Sequence, residues 1–213
     1  MRPIEGVLFE PVGCLAEFPA EPFHEITQRL FGGKRKASKS ASRTYWHLLN
    51  LIEAAEEPLD VFRKEMMESL ELQAVDQASV YDDVAPALTE LRAMGAKLVI
   101  ASSLSQAAVA RFLERSLPHS LFSGCWNRDN AGGVKSRPLE CAVRGAALSP
   151  DRTLFLTDTA EGIRTARGLG LQPILMMNEP DEAKRLAMHD PAGGIVSFYE
   201  LPDFARLLTA RNL

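Results

Sequence analysis

The alternation of short apolar runs with helical patterns is the feature that most constrains how this chain can fold. Four nearly continuous apolar runs predict buried parallel strands, and a weaker fifth run predicts another. These strands are expected at residues 4–9, 97–101, 153–156, 173–176 and 194–196. Amphipathic patterns between them predict helices at residues 84–94, 106–115, 138–147 and 162–169. This order predicts an α/β fold in which helices cover both faces of a parallel sheet.

The segment 18–79 interrupts this alternation directly after the first strand. It has no convincing strand pattern, and three amphipathic stretches predict helices at residues 23–30, 44–55 and 59–70. An all-helical insertion at this point is expected to lie over the carboxyl edge of the sheet, where open α/β sheets bind ligands. We therefore expect an α/β core made of residues 1–17 and 80–213, and a helical cap made of residues 18–79.

Composition narrows the class of protein further. A chain of 213 residues that is 46% hydrophobic can bury a sizeable core. Its net charge of -4 gives no general attraction to nucleic acid, and no run of membrane-spanning length predicts a membrane protein. The three cysteines, Cys14, Cys125 and Cys141, are far apart and form no C-x-x-C pair. Together these features favour a protein of the reducing cytoplasm, with neither a disulfide framework nor a zinc site.

Four polar or charged residues fall at strand ends or helix starts along the expected carboxyl edge. They are Glu10 after the first strand, Ser102 after the second, Lys135 in a glycine-rich loop, and Asp158 after the third predicted apolar run. A hydroxyl and a lysine can hold a phosphate group, and two acids can offer oxygen ligands to Mg²⁺. The sequence therefore predicts a site for a small anionic or phosphorylated ligand at this edge.

The order and spacing of these residues resemble the motifs of the haloacid dehalogenase superfamily, in particular its small helical-cap phosphatases and phosphoglucomutase-like members. The family's first motif, D-x-D-G-T-L, is matched by EPVGCL at residues 10–15. Its second motif is matched by Ser102, its third by Lys135 in KSRP, and its fourth by TDTAEG at residues 157–162. The resemblance covers nearly the whole chain and implies a Rossmann-like three-layer core with an inserted helical cap.

The resemblance assigns roles to these positions, and the sequence departs from several of them. Glu10 lies at the position of the nucleophilic aspartate, and its extra methylene displaces the carboxylate on a scale where about 1 Å can cost on the order of 100-fold in rate. Val12 replaces the general acid and base, a contribution of roughly 100- to 10,000-fold. Gly162 replaces the last acid, with Glu161 one position early, and of the four expected aspartates only Asp158 is intact.

Two functions remain open at this stage. The first is a hydrolase homologue that has lost efficient phosphoryl transfer and keeps an anion-binding role through Ser102 and Lys135. The second is an active Mg²⁺-dependent phosphatase of a small phosphorylated metabolite that uses Glu10. In either case Mg²⁺ would be held by Glu10, Asp158 and the backbone carbonyl of Val12, and we expect that binding to be weak. The basic stretch 34–43 is either a solvated surface or a lip that attracts an anionic ligand.

Overall fold

The structure is a computed structural model that describes residues 3–32, 39–178 and 180–211. Its strands are β1 Gly6–Phe9, β2 Ala16–Glu17, β3 Ser79–Val80, β4 Lys97–Ala101, β5 Gly124–Trp126, β6 Thr153–Thr157, β7 Gln172–Met176 and β8 Gly193–Ile195. Six of them form one parallel sheet in the order β5-β4-β1-β6-β7-β8. The predicted parallel α/β sheet is confirmed, and β1 lies near its centre, so the residue that follows β1 lies at the middle of the carboxyl edge.

Strand β5 was not predicted from the sequence. It has only three residues, Gly124–Trp126, and it pairs with β4 at the outer edge of the sheet. A strand this short carries no usable alternation of apolar and polar residues, and one of its three residues is a glycine. Its pairing is a long-range event that the local pattern does not encode.

The helices follow the predicted alternation closely. They are α1 Glu21–Phe31, α2 Ala41–Ala54, α3 Val61–Asp76, α4 Val84–Ala93, α5 Gln106–Ser116, α6 Arg128–Ala131, α7 Ser136–Gly145, α8 Ala160–Gly168, α9 Pro180–Ala187 and α10 Glu200–Arg211. Side-chain caps fix several starts: Ser40, Asp60 and Ser105 each accept a hydrogen bond from a backbone N–H in the first turn of α2, α3 and α5. In the part of the chain that the structure describes, no helix has the length and apolar character needed to span a membrane.

Successive residues of the central strand face opposite sides of the sheet, as its apolar run requires. Val7 and Phe9 belong to one cluster of buried side chains, and Leu8 belongs to another on the opposite face. All three are fully buried. Helices therefore cover the sheet on both sides, which confirms the three-layer arrangement.

A short antiparallel ladder brackets the three inserted helices. Ala16 of β2 pairs with Val80 of β3, and Glu17 pairs with Ser79. Helices α1, α2 and α3 all lie in the chain between these two strands. The expectation of no strand in this segment was wrong at its last residue, because Ser79 belongs to β3. The ladder brings the two ends of the insertion together next to the end of β1.

The inserted helices share a continuous hydrophobic core with the sheet. Phe18 lies 5.8 Å from Phe112 of α5, centroid to centroid, and 6.3 Å from Phe23 of α1. Phe23 in turn lies 4.9 Å from Tyr45 of α2. One cluster of buried apolar side chains includes these residues together with Phe9 of β1. The helices are thus packed onto the core through apolar contacts.

Candidate active site

Glu10 is the residue at which the central strand ends. After it, the chain turns sharply through Pro11–Leu15, where Val12 and Gly13 have non-helical backbone angles and Gly13 takes a φ of 78° that favours glycine. Only 4% of Glu10 is exposed. The hydroxyl of Ser102 donates a hydrogen bond to its Oε1 atom over 2.5 Å, and the backbone N–H of Ser103 donates to Oε2 over 3.2 Å. The side chains at the first and second motif positions are thus in direct contact, and that contact is buried.

Burial changes the charge of Glu10. Desolvation raises the pKa of its carboxyl from 4.5 to about 8, although hydrogen bonds from Ser102, Ser103 and the backbone of Val12 favour the charged form. The nearby carboxylate of Glu71 raises the pKa further. Glu10 is therefore largely protonated at neutral pH. A neutral carboxyl is a poor nucleophile and a poor ligand for a cation.

Tyr45 of α2, one of the inserted helices, lies beside this buried pair. Its side chain has no exposed surface, and its ring packs against Phe23. Its hydroxyl lies beside the Ser102 hydroxyl and near Glu10, and its contact with Ser102 falls short of the geometry of a regular hydrogen bond. A buried aromatic side chain from an inserted helix thus lies next to the end of β1.

Asp158 follows β6 and is held by the same cap helix. The Ser42 hydroxyl donates a hydrogen bond of 2.6 Å to its Oδ2 atom, and the Asn178 amide donates to the same atom over 3.4 Å. Ser42 can approach this closely because residue 13 has no side chain: a Cβ atom on Gly13 would lie 1.9 Å from the Ser42 Oγ atom. Asp158 is half-buried, and its contacts differ from those of Glu10.

The backbone of Lys135 lies at the site, whereas its ammonium group is bound by the cap. Its backbone N–H donates to the Ser103 hydroxyl over 2.8 Å, and its φ of 59° lies in the left-handed region. Its Nζ atom donates to Asn50 over 2.9 Å and to Glu53 over 2.6 Å, both on α2. The structure thus pairs Glu10 with Ser102, and engages Asp158 and Lys135 separately with helix α2.

The residues present do not fit a Mg²⁺ site. The Glu10 carboxyl has a raised pKa and is hydrogen-bonded to Ser102 and Ser103, and Val12 has only a backbone carbonyl to offer. Glu161 forms an ion pair of 3.5 Å with Arg164 on its own helix. A side chain at Gly162 would place its Cβ atom 1.9 Å from the Thr157 Oγ1 atom. Within residues 3–32, 39–178 and 180–211, no group of three or more His, Cys, Asp and Glu side chains could hold a metal ion.

A buried ion pair beside the site was not identified from the sequence. Glu71 of α3 has no exposed side-chain surface and accepts hydrogen bonds from Arg128 of α6, the shorter of them 2.6 Å. It also accepts a bond of 3.1 Å from the backbone N–H of Ser105. An acid at this position of an amphipathic helix carries no sequence signal of burial, because its partner comes from a distant part of the chain.

The basic stretch 34–43 lies only partly within the described residues. Lys34, Arg35 and Lys36 lie outside them, whereas Lys39 and Arg43 line a cleft beside Asp158. This cleft has a volume of about 570 Å³. Glu10, Ser102 and Lys135 are not among the residues that line it.

A parallel α/β sheet with acidic and hydroxyl side chains at its carboxyl edge, beneath helices inserted after the first strand, defines a capped hydrolase-type fold. The chain belongs to the family described as haloacid dehalogenase-like hydrolase, whose profile matches residues 25–176, more than half of the chain. This match confirms the family that the motifs resemble. It begins after the stretch that contains Glu10 and Val12.

Three relatives illustrate the similarity. The chain is 35% identical over 121 residues to Enolase-phosphatase E1 from Streptomyces avermitilis, covering 53% of this chain and 50% of that protein. It is 29% identical over 126 residues to Enolase-phosphatase E1 from Frankia alni, covering 57% and 52%. A haloacid dehalogenase-like hydrolase from Streptococcus pneumoniae shares the fold with a TM-score of 0.72 at 16% identity, covering 94% of this chain and 98% of that chain. The chain thus spans about half the length of the curated relatives that it matches.

Proposed function

We propose that this chain is a haloacid dehalogenase-like protein that does not carry out efficient phosphoryl transfer and that retains a role in binding a small anionic ligand. The observation that carries this proposal is the state of Glu10. The side chain at the nucleophile position is 4% exposed, is bonded to Ser102 and has a pKa near 8. A substrate phosphoryl group would need to displace Ser102, ionise Glu10 and find room beneath Tyr45.

The fixed position of the cap supports the same conclusion. The Glu71–Arg128 ion pair joins a cap helix to a core helix, and Glu71 is completely buried. Separating such a pair exposes or strands a buried charge, at a cost of roughly 3–5 kcal/mol when one partner is removed. Together with the shared hydrophobic core, this contact opposes opening of the cap over the end of β1.

The loss of the general acid supports it further. Val12 is 1% exposed and supplies no proton to a leaving group. The engagement of Lys135 by Asn50 and Glu53 leaves its ammonium bound to the cap, whereas phosphoryl transfer calls for a cation at the transferring group. Binding of a ligand that bears an anionic group is instead supported at the cleft beside Asp158, where Lys39 and Arg43 contribute positive charge.

The alternative function is an active phosphatase that uses Glu10. It is favoured by the intact Asp158 and by the names of the two curated relatives, which describe those proteins as phosphatases. On this alternative, the buried state of Glu10 would be one member of an equilibrium, and the cap would open to admit substrate and Mg²⁺.

Steady-state hydrolysis of a generic aryl phosphate, with and without added Mg²⁺, separates the two functions. The proposal expects wild type and Glu10→Ala to give the same near-background rate under both conditions. Glu57→Ala is a matched control, because it removes an exposed carboxyl from the cap. Robust Mg²⁺-dependent turnover that Glu10→Ala abolishes and Glu57→Ala preserves would establish the alternative. A screen of phosphorylated metabolites under the same conditions extends the test beyond one substrate.

A further inference from the structure

The cleft beside Asp158 is formed where the start of helix α2 faces strand β2 and helix α9. Its lining includes residues 39–43, Glu17 of β2, Tyr81, Asn178 at the end of β7, and Leu186 of α9. Its volume of about 570 Å³ lies within the range of roughly 300–1,000 Å³ that is typical of small-molecule sites. Unlike the buried pair at Glu10, it is open to solvent.

The charges in this cleft are of both signs. Lys39 and Arg43 are cationic, whereas Glu17 and Asp158 are acidic. Lys39 and Glu17 are exposed, and neither side chain has an ion-pair or hydrogen-bond partner among residues 3–32, 39–178 and 180–211. A simple anion would be attracted by Lys39 and Arg43 but repelled by Glu17 and Asp158, and a simple cation would be attracted by the two acids but repelled by the two basic residues. A ligand that carries both charges matches the cleft better than either.

The remaining wall of the cleft is apolar. Phe18, Met176 and Leu186 are all buried to more than nine-tenths, and Met177 adds a thioether side chain. Polar groups supply the larger share of the lining of this cleft, and these apolar side chains form one part of its wall against which an apolar group can pack. That part of the wall favours a ligand with an apolar portion over a purely polar one.

We propose that this cleft binds a small zwitterion with an apolar portion, which is the chemistry of an apolar α-amino acid. The ammonium group would face Glu17 and Asp158, the carboxylate would face Lys39 and Arg43, and the side chain would pack on Phe18, Met176 and Leu186. This inference rests on the ligand-binding half of the proposed function, and it makes the anionic group of that ligand a carboxylate accompanied by an ammonium group. It is independent of whether Glu10 catalyses any reaction.

Titration calorimetry with L-leucine and three analogues tests the inference. N-acetyl-L-leucine lacks the cation, L-leucinamide lacks the anion, and glycine lacks the apolar portion. L-leucine should bind, and each analogue should bind about 10-fold more weakly or worse, since each lost group corresponds to roughly one decade of affinity. Inorganic phosphate serves as the probe for a site that accepts an anion alone.

Two variants connect the binding to this cleft. Lys39→Ala and Glu17→Gln should each weaken L-leucine binding about 10-fold, because each removes one of the two unpaired charges. Lys64→Ala is the matched control, since it removes an exposed lysine that lines a different cleft, and it should leave the affinity unchanged. Both test positions are exposed, so the variants are expected to fold.

Three results would overturn the inference, and they differ in whether the proposed function survives. Equal binding of L-leucine and N-acetyl-L-leucine, or binding of phosphate in place of L-leucine, would show an anion site, and the proposed function would survive. The absence of heat from every probe would remove the ligand-binding half of that function as well. Binding of L-leucine that neither Lys39→Ala nor Glu17→Gln weakens would place the site elsewhere.

Discussion

The hydroxyl of Ser102 and the carboxyl of Glu10 lie 2.5 Å apart at the centre of the sheet edge, and both residues are almost completely buried. The two side chains come from neighbouring strands, β4 and β1, at the positions where this family's motifs place a phosphate-binding hydroxyl and a nucleophile. Each of the two groups is the hydrogen-bond partner of the other, and Tyr45 lies beside them. The contact therefore takes up the hydrogen-bonding groups that a phosphoryl substrate would use.

The buried carboxyl of Glu10 should make stability depend on pH. Its folded pKa of about 8 lies above the ordinary value of 4.5, so the unfolded chain loses this proton first as the pH rises. The Glu10 carboxyl therefore contributes most to the free energy of unfolding below pH 4.5, and its contribution declines as the pH rises to about 8. The decline approaches about 1.4 kcal/mol per pH unit. Glu10→Gln, which cannot ionise, should lack it.

Urea unfolding of wild type and Glu10→Gln at pH 5.5, 6.5 and 7.5 measures this effect as a difference between two proteins. The free energy of unfolding of wild type should fall relative to that of the variant as the pH rises. Glu57→Gln, at an exposed acid of the cap, provides the matched comparison. A difference that is constant across this range would show that Glu10 is ionised in the folded protein.

The ion pair between Glu71 and Arg128 should dominate the attachment of the cap. Glu71→Gln should lower the free energy of unfolding by roughly 3–5 kcal/mol, because it leaves the mostly buried Arg128 without its counter-charge. Glu71→Leu combined with Arg128→Met should cost less than either single change, since no charge is then left unpaired. Glu65→Gln, on an exposed position of the same helix, should cost less than about 0.5 kcal/mol. If the loss of stability in the double variant equals the sum of the losses in Glu71→Leu and Arg128→Met, the pairing is contradicted.

Removal of the Tyr45 hydroxyl should not destabilise the protein. This hydroxyl is fully buried and has no hydrogen-bond partner among the described residues, so Tyr45→Phe relieves a desolvation cost and should stabilise folding by up to about 1 kcal/mol. Thermal unfolding of Tyr45→Phe beside Tyr199→Phe, which changes an exposed tyrosine, checks this. A clear loss of stability in Tyr45→Phe alone would mean that the hydroxyl is bonded to Ser102 or Glu10.

Restoration of catalysis should require removal of the Tyr45 side chain as well as replacement of Glu10 and Val12. Glu10→Asp with Val12→Asp rebuilds the family's nucleophile and general acid, but Tyr45 still covers the site, so aryl phosphate hydrolysis should remain near background. Adding Tyr45→Ala should raise the rate at least about 10-fold, within the range that a misplaced reacting group can cost. Tyr45→Ala alone controls for the cavity, and circular dichroism confirms folding. High activity of the double variant without Tyr45→Ala would show that the cap does not obstruct the site.

Gly162→Asp should not help to restore catalysis, although the family's fourth motif has an acid at this position. A Cβ atom at that position would lie 1.9 Å from the Thr157 hydroxyl, and that side chain already contacts Thr159. The sequence alone suggests that this change would add a metal ligand. The packing shows that Thr157 would first need to move.

The sequence by itself determined that the chain forms a parallel sheet, where most of its strands lie in the chain, and which family the chain belongs to. Apolar runs that form β1, β4, β6 and β7 are local signals, because a strand buried on both faces must be apolar throughout. The strand-end positions of Glu10, Ser102 and Asp158 follow from these runs. The departures from the family's motifs at residues 10, 12 and 162 stay a prediction from the sequence, and the first two lie before the matched profile begins.

Only the tertiary structure decided what those residues contact. Helix α2 places Ser42 on Asp158, Tyr45 over Glu10, and Glu53 on Lys135, and each pair is separated by tens of residues in the chain. An amphipathic pattern specifies which face of a helix is buried, but it does not specify which distant strand end that face meets. The neutral state of Glu10 has the same origin: burial raises its pKa, and burial depends on the packing of the whole inserted segment against the core.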